Sequence, residues 1–190
     1  MRAVRTAESD PNEARLVAEV AGRDRRAFES LYRLYFGRLA RFLDPKLHHA
    51  ASVEEVINET MLLVWNKAGS FDGSSKVSTW IFGIAYRRAL KALARLDLPV
   101  EQEADDEADD NALTPDAALT RSEQRRIVGQ AIDALPMEQR TVVHLAYFHD
   151  MGYDEIARIM DCPANTVKTR MFHARRRLKR LLAGLESELS

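Results

Sequence analysis

A chain of 190 residues, 46% of them hydrophobic, is long enough to bury one moderate core or two small ones. Its single cysteine excludes an internal disulfide and any Cys-rich zinc site. No apolar run approaches the roughly 18 residues that span a bilayer and the N-terminus lacks a signal-peptide apolar core, so a soluble, cytoplasmic protein is expected. The formal net charge of −1 hides an uneven distribution. Nine acidic residues and no Lys or Arg lie between Asp97 and Thr120; setting them aside leaves 20 acidic against 28 basic residues, a surplus of +8. The neutral total therefore predicts two basic parts and an acidic tether.

Periodicity is helical throughout, and the chain reads as all-α, two small helical domains joined by an acidic flexible linker. The expected limits are an N-terminal extension over 1–23, a first domain over 24–96, the linker over 97–120 and a second domain over 121–190. Ala14, Leu16, Val17 and Val20 fit a short first helix. Ala27, Leu31, Leu34, Tyr35, Leu39 and Phe42 recur at helical steps and predict a long amphipathic helix ending near Asp44-Pro45. His48 and His49 follow in a loop; adjacent side chains point different ways, and with no third ligand nearby they are read as surface histidines.

Ser52, with Glu55 three residues on, predicts a capping box at the next helix. Val56, Ile57, Met61, Leu62, Val64 and Trp65 form its apolar side; Glu54, Glu55, Asn58 and Glu59 form an acidic patch. The helix dipole accounts for Glu54 and Glu55. It accounts less well for Glu59, one turn beyond Glu55, and such a surface suits a partner with a basic face. The segment 69–78, GSFDGSSKVS, is a loop by composition, and a helix is expected from Thr79 to Leu96. Trp80, Ile81, Ile84, Ala85 and Leu93 point inward there while Arg87, Arg88, Lys91 and Arg95 make a basic ridge. Aromatic groups ahead of clustered cations fit single-stranded or melted nucleic acid; for Trp80 a plain core role fits as well. The stretch Glu101 to Asp110 is too charged to fold alone.

In the second domain Ile127, Val128, Ala131, Ile132 and Leu135 predict one inner face, and Val142, Val143, Leu145 and Ala146 another within a helix from Met137 to Phe148. Tyr153 to Leu178 then reads as a helix-turn-helix: Ile156, Ala157, Ile159 and Met160 at helical spacing, a break at Asp161-Cys162-Pro163, and a second helix with Pro163 in its first turn. Val167, Met171, Ala174 and Leu178 form the buried stripe of that helix, which leaves Asn165, Thr169, Phe172, His173, Arg176 and Arg180 on the opposite face. No acidic residue occurs from Ala164 to Ala183, as a phosphate backbone requires. A solvated or membrane-surface helix is the plainer alternative; it has no need of a short helix set ahead of it at a fixed angle. His144, His149, Cys162 and His173 share no metal-site spacing, and no metal or other cofactor is expected.

These residues resemble the group IV, or extracytoplasmic-function, sigma factors of bacterial RNA polymerase. SVEEVINETMLLVW (Ser52 to Trp65) is similar to the segment with which the family's second domain grips the polymerase clamp helices. STWIFGIAYRRALKAL (Ser78 to Leu93) is similar to its promoter-melting and minus-ten-reading helix, and the chain from Leu135 to Leu182 to its fourth domain, which reads the minus-thirty-five element. The family usually has Asp and Gln where Glu55 and Asn58 stand, commonly Asn where Arg87 stands, and often Gly where Asn165 stands.

The resemblance implies a specificity subunit, not an enzyme, that binds core polymerase at its clamp helices and flap, binds promoter DNA, and is held by an anti-sigma factor, with no small-molecule substrate and no membrane insertion. It places Asn165, Thr166, Lys168, Thr169, Phe172, His173 and Arg176 in the major groove. Phe71, Asp72, Ser78, Trp80, Arg87, Arg88, Lys91 and Arg95 would meet the minus-ten element, and Glu54, Glu55, Asn58, Glu59, Leu62 and Trp65 the polymerase. A stand-alone helix-turn-helix regulator of duplex DNA is the alternative. An enzyme has no Ser/His/Asp set, phosphate loop or metal constellation to support it.

Overall fold

The computed structural model describes residues 10–47, 50–95 and 121–188, and among these all regular structure is helical. His48, His49 and the acidic segment 96–120 lie outside the described residues.

Helix α1 (Pro11–Ala21) opens with Asp10, whose carboxylate accepts the Asn12 N–H at 2.9 Å, and with Pro11 in its first turn. The segment expected as an extension buries Leu16, Val17 and Val20 against the next helix. Helix α2 (Arg25–Leu47) is capped by Asp24, which accepts the N–H groups of Arg26 (2.7 Å) and Ala27 (3.1 Å). Two expectations fail here. The helix continues through Pro45, and Leu34 is exposed because the buried row advances by fours through Ala27, Leu31, Tyr35 and Leu39, leaving Leu34 to one side.

Helix α3 (Ala50–Lys67) starts before Ser52, so Ser52 lies within the helix and is not its cap. A short 3-10 turn (Ala68–Ser70) and the loop 71–76 lead to α4 (Val77–Arg95), which begins two residues ahead of Thr79. Helices α1 to α4 pack together around Tyr35, Phe42 and Phe82, all fully buried.

The second group comprises α5 (Arg121–Asp133), α6 (Met137–Tyr147), α7 (Tyr153–Met160) and α8 (Ala164–Glu188). Val128 is exposed, 44%, which corrects its place on the inner face of α5; Ile127, Ala131, Ile132 and Leu135 are buried as expected. The two groups meet: α4 packs on α7 and α2 touches α6, and most of the buried apolar residues, Ile127 and Ala131 of α5 apart, form one continuous cluster from Leu16 to Ala174.

Candidate nucleic-acid and polymerase interfaces

The α7–α8 unit is built by local chemistry at its turn. Glu155 reaches back to the Gly152 N–H at 2.9 Å and secures the start of α7. Asp161 takes a left-handed conformation (φ 53°), and the N–H groups of Asp161 and Cys162 both reach the Ala157 carbonyl, ending the helix abruptly. Pro163 stands one residue ahead of α8 instead of inside its first turn, and its carbonyl accepts the N–H groups of Thr166 (2.9 Å) and Val167 (3.3 Å). Val167, Met171 and Ala174 are buried, fixing α8 against α6 and α7, and the Arg170–Glu138 ion pair ties α8 to α6. Cys162 is half-buried at the turn, 3.5 Å from the Arg170 guanidinium, and burial raises its thiol pKa.

That anchoring sets the outward face of α8. Asn165, Lys168, Thr169, Phe172 and Arg176 are exposed, while Thr166 and His173 are half-exposed. Phe172 is 57% exposed although it is a large apolar ring; His173 meets it edge-on at 5.5 Å and the Arg176 guanidinium lies 5.8 Å from its centre. The Thr169 hydroxyl donates to the Asn165 carbonyl of its own helix (3.0 Å), leaving its oxygen lone pairs outward. An aromatic face beside guanidinium, ammonium and amide groups can donate to base edges and phosphates and contact a thymine methyl.

The first group carries a second basic face on α4. Arg87, Lys91 and Arg95 are exposed at intervals of four and form a stripe. Arg88 departs from that ridge, since it is half-buried and paired with Glu59 on α3 at 3.6 Å. At the stripe's beginning, Phe71 packs on Trp80 at 5.2 Å between ring centres, both half-buried. Asp72 accepts the Ser74 N–H at 2.9 Å, which holds its carboxyl below the usual range, and Gly73 takes φ +72° to complete the bend. Ser78 is buried, 8% exposed, and so is not displayed on this surface in the present arrangement.

On α3, Glu54, Glu55, Asn58, Glu59 and Leu62 line one shallow groove, and Leu62 is 59% exposed there. Leu62 thereby leaves the apolar side on which periodicity placed it. Trp65 is not part of this groove; it is half-buried under the Arg23 guanidinium (5.3 Å) and edge-on to Phe28 (5.2 Å). Sequence reasoning missed a neighbour of the groove, because the Tyr32 hydroxyl donates to Asn58 Oδ1 at 2.8 Å and the Tyr32 ring stacks on Phe36 at 5.7 Å. The signal was present: Phe28, Tyr32 and Phe36 repeat at four-residue intervals, an aromatic row beside the aliphatic one.

Among the described residues no cluster of His, Cys, Asp and Glu could hold a metal ion, and no helix is long and apolar enough to cross a membrane.

Two family models match the chain, sigma-70 region 2 over residues 27–98 and sigma-70 region 4 over residues 125–178. The RNA polymerase sigma-H factor of Pseudomonas aeruginosa is 32% identical over 183 residues, which cover 91% of this chain and 95% of that protein. The ECF RNA polymerase sigma-E factor of Escherichia coli is 31% identical over 170 residues, 84% of this chain and 88% of that one. Among solved structures, that of CnrH in complex with the cytosolic domain of CnrY aligns with a TM-score of 0.66 at 21% identity, covering 91% of this chain and 98% of that chain. The sigma factor RpoE in complex with the anti-sigma factor NepR from Bartonella quintana aligns at 0.59 and 23% identity, covering 82% and 96%. With two polymerase factors matched nearly end to end and both halves matched in order, the chain belongs to the extracytoplasmic-function group of the sigma-70 family.

Proposed function

We propose that the chain binds bacterial RNA polymerase core in the cytoplasm and directs it to a set of promoters, with the 24–96 part reading the minus-ten element and the 121–190 part the minus-thirty-five element. The observation that carries this reading is the division of α8: Val167, Met171 and Ala174 are buried, while the face opposite presents Lys168, Phe172 and Arg176 with no acidic residue between Ala164 and Ala183. In this role α8 lies in the major groove, where phosphate contacts set its position and Arg176 and Lys168 read base edges. The stripe Arg87, Lys91 and Arg95 neutralises phosphates of the opened strand, and Phe71 and Trp80 at its start supply the aromatic surface. The groove of Glu54, Glu55, Asn58, Glu59 and Leu62 takes the polymerase clamp helices, its carboxylates matching a basic partner and Leu62 supplying apolar contact.

The protein performs no bond chemistry in this role; nucleotide transfer belongs to the polymerase. A protein inhibitor of the anti-sigma type is a further part of the proposal, supported by solved structures in which the similar chains are complexed with CnrY and with NepR. In vitro transcription tests the reading. Purified core and a library of genomic promoters should initiate at new sites when the chain is added. Tight autonomous binding to a symmetric duplex, with no effect on core, would instead identify a stand-alone regulator.

A further inference from the structure

The outward face of α8 has two edges, and they are not alike. The inner stripe of the helix advances through Val167, Met171, Ala174 and Leu178 by steps of four, three and four. Lys168, Phe172, Arg175 and Lys179 repeat those steps one residue later, about 100° around the helix. All four are exposed, and their row borders the outward face on one side. On the other side Arg170 is half-buried and already paired with Glu138 of α6. A residue from another helix stands at the first edge. Tyr147, the last residue of α6, is 63% exposed, and its phenol oxygen accepts a hydrogen bond from Arg175 Nη2 at 3.2 Å.

The chemistry of this edge is that of a phosphate site. A helix with its side chains is about 10–12 Å across and the major groove about 12 Å wide, so a helix seated there fills it; its outward centre meets the bases and its edges meet the phosphates on the rims. The Tyr147–Arg175 pair keeps donors for that rim. The guanidinium forms no ion pair among the described residues and spends one N–H on the phenol, while the phenol, an acceptor there, keeps its own O–H. Tyrosine and arginine both donate to phosphate oxygens, and neither reads sequence by doing so. The bond between them also fixes the spacing of two side chains that would otherwise be ordered separately on binding. A protein partner fits less well: the row holds three cations and the helix no carboxylate from Ala164 to Ala183, whereas charged residues are depleted at the centre of protein interfaces.

We propose that Tyr147 and Arg175 bracket one backbone phosphate on the rim of the minus-thirty-five groove, so that α6, outside the helix-turn-helix, takes part in holding the duplex. The bracket adds affinity at every promoter and leaves the choice of bases to the outward centre of α8. This inference rests on the reading of α8 as a major-groove helix.

Holoenzyme reconstituted from core polymerase and the full chain tests it, on a promoter fragment from which that holoenzyme initiates. Tyr147→Phe keeps the ring and removes the hydroxyl; Arg175→Gln keeps a polar side chain and removes the charge. Both positions are exposed, so the variants should melt as the wild type does. Each should bind the fragment several-fold more weakly, by the same factor on fragments with altered minus-thirty-five bases, and the double variant should lose less than the product of the two factors. The slope of log K against log salt should become shallower by about 0.9 for Arg175→Gln and stay unchanged for Tyr147→Phe. Replacing rim phosphates one at a time with neutral methylphosphonates should reveal one position that weakens binding of the wild type and not of Arg175→Gln. Variants that bind as the wild type does, losses that depend on base sequence, or the lack of any phosphate whose effect Arg175→Gln abolishes would overturn the bracket. Loss of affinity for core in place of DNA would also overturn it and make this edge a protein-docking surface. Wild-type holoenzyme that selects no promoter would instead strike the reading of α8 itself.

Discussion

Arg88 on α4 reaches Glu59 on α3, Nη1 to Oε2 at 3.6 Å, so the helix assigned to promoter melting is pinned to the helix assigned to polymerase binding. Both side chains are about one-third exposed, and the pair contributes on the order of 0–1 kcal/mol. Glu59→Lys should therefore change the melting temperature little. Its affinity for core polymerase should fall by about tenfold, or about 1.4 kcal/mol, through loss of the acidic groove. Unchanged affinity by anisotropy titration would remove Glu59 from the interface.

Arg176→Ala removes a cation from the outward face of α8, proposed to read DNA, without disturbing the buried stripe. Promoter recognition should weaken by about 1–3 kcal/mol, as for loss of one base-edge contact, while the affinity for core is retained. Competition footprinting on one promoter and core titration give the two numbers. Equal loss of both would make Arg176 a structural residue.

Phe172 is the exposed ring on α8. Phe172→Ala should move folding stability by no more than about 0.5 kcal/mol, as expected of a surface position, yet reduce promoter-directed initiation. A marked drop in the melting temperature would mean that the ring packs within the domain and does not face DNA.

Glu13 ties α1 to α2. It is buried, accepts the Tyr35 hydroxyl at 2.8 Å and meets the Arg38 guanidinium at 2.9 Å. Burial, then the Glu13 charge, pushes the Tyr35 phenol well above its ordinary pKa, so the hydroxyl remains a donor. Glu13→Ala strands both donors and should cost about 2–3 kcal/mol in chemical denaturation. Glu13→Gln, which keeps an acceptor, should cost less.

A pH dependence follows from the seam between α2 and α6. Burial pushes His144 down to about 4, with Lys46, His149 and Arg140 adding repulsion; burial likewise pushes His149 to about 4, with Arg38, Arg41 and Lys46 adding to it. Lys46, 3% exposed over the Phe42 ring, is pushed down to about 7 by burial and then by Arg140. Each native pKa lies below its unfolded value, so the native form is disfavoured by protonation. The histidine contribution is complete above about 6.5 and disappears as the pH falls towards 4; the Lys46 contribution diminishes as the pH falls from about 10.5 to 7. The melting temperature should rise from pH 5 to pH 9, and His149→Gln should flatten the acid part of that curve.

Helix identity and the outward, carboxylate-free face of α8 were legible because a strict apolar stripe, Val167 to Ala174, leaves one outward side. Leu34, Leu62 and Val128 were misplaced for a common reason: a hydrophobic residue at the margin of a helical stripe fits the period whether or not a neighbouring helix covers it. Ser52 misled because a capping motif two residues inside a helix looks the same in sequence as one at its end. The Arg88–Glu59 pair, the Tyr32–Asn58 bond and the α4–α7 seam join residues 26 to 84 positions apart, and no local pattern encodes such pairings.

The engagement of α1 has a practical corollary. A fragment beginning at Asp24 would seem a natural way to express the first lobe by itself, yet it would uncover the groove now filled by Leu16, Val17 and Val20 and leave the Tyr35 phenol without its carboxylate acceptor. Trimming back only to Asp10 keeps that strut in place, and Asp10 would still cap the helix it begins.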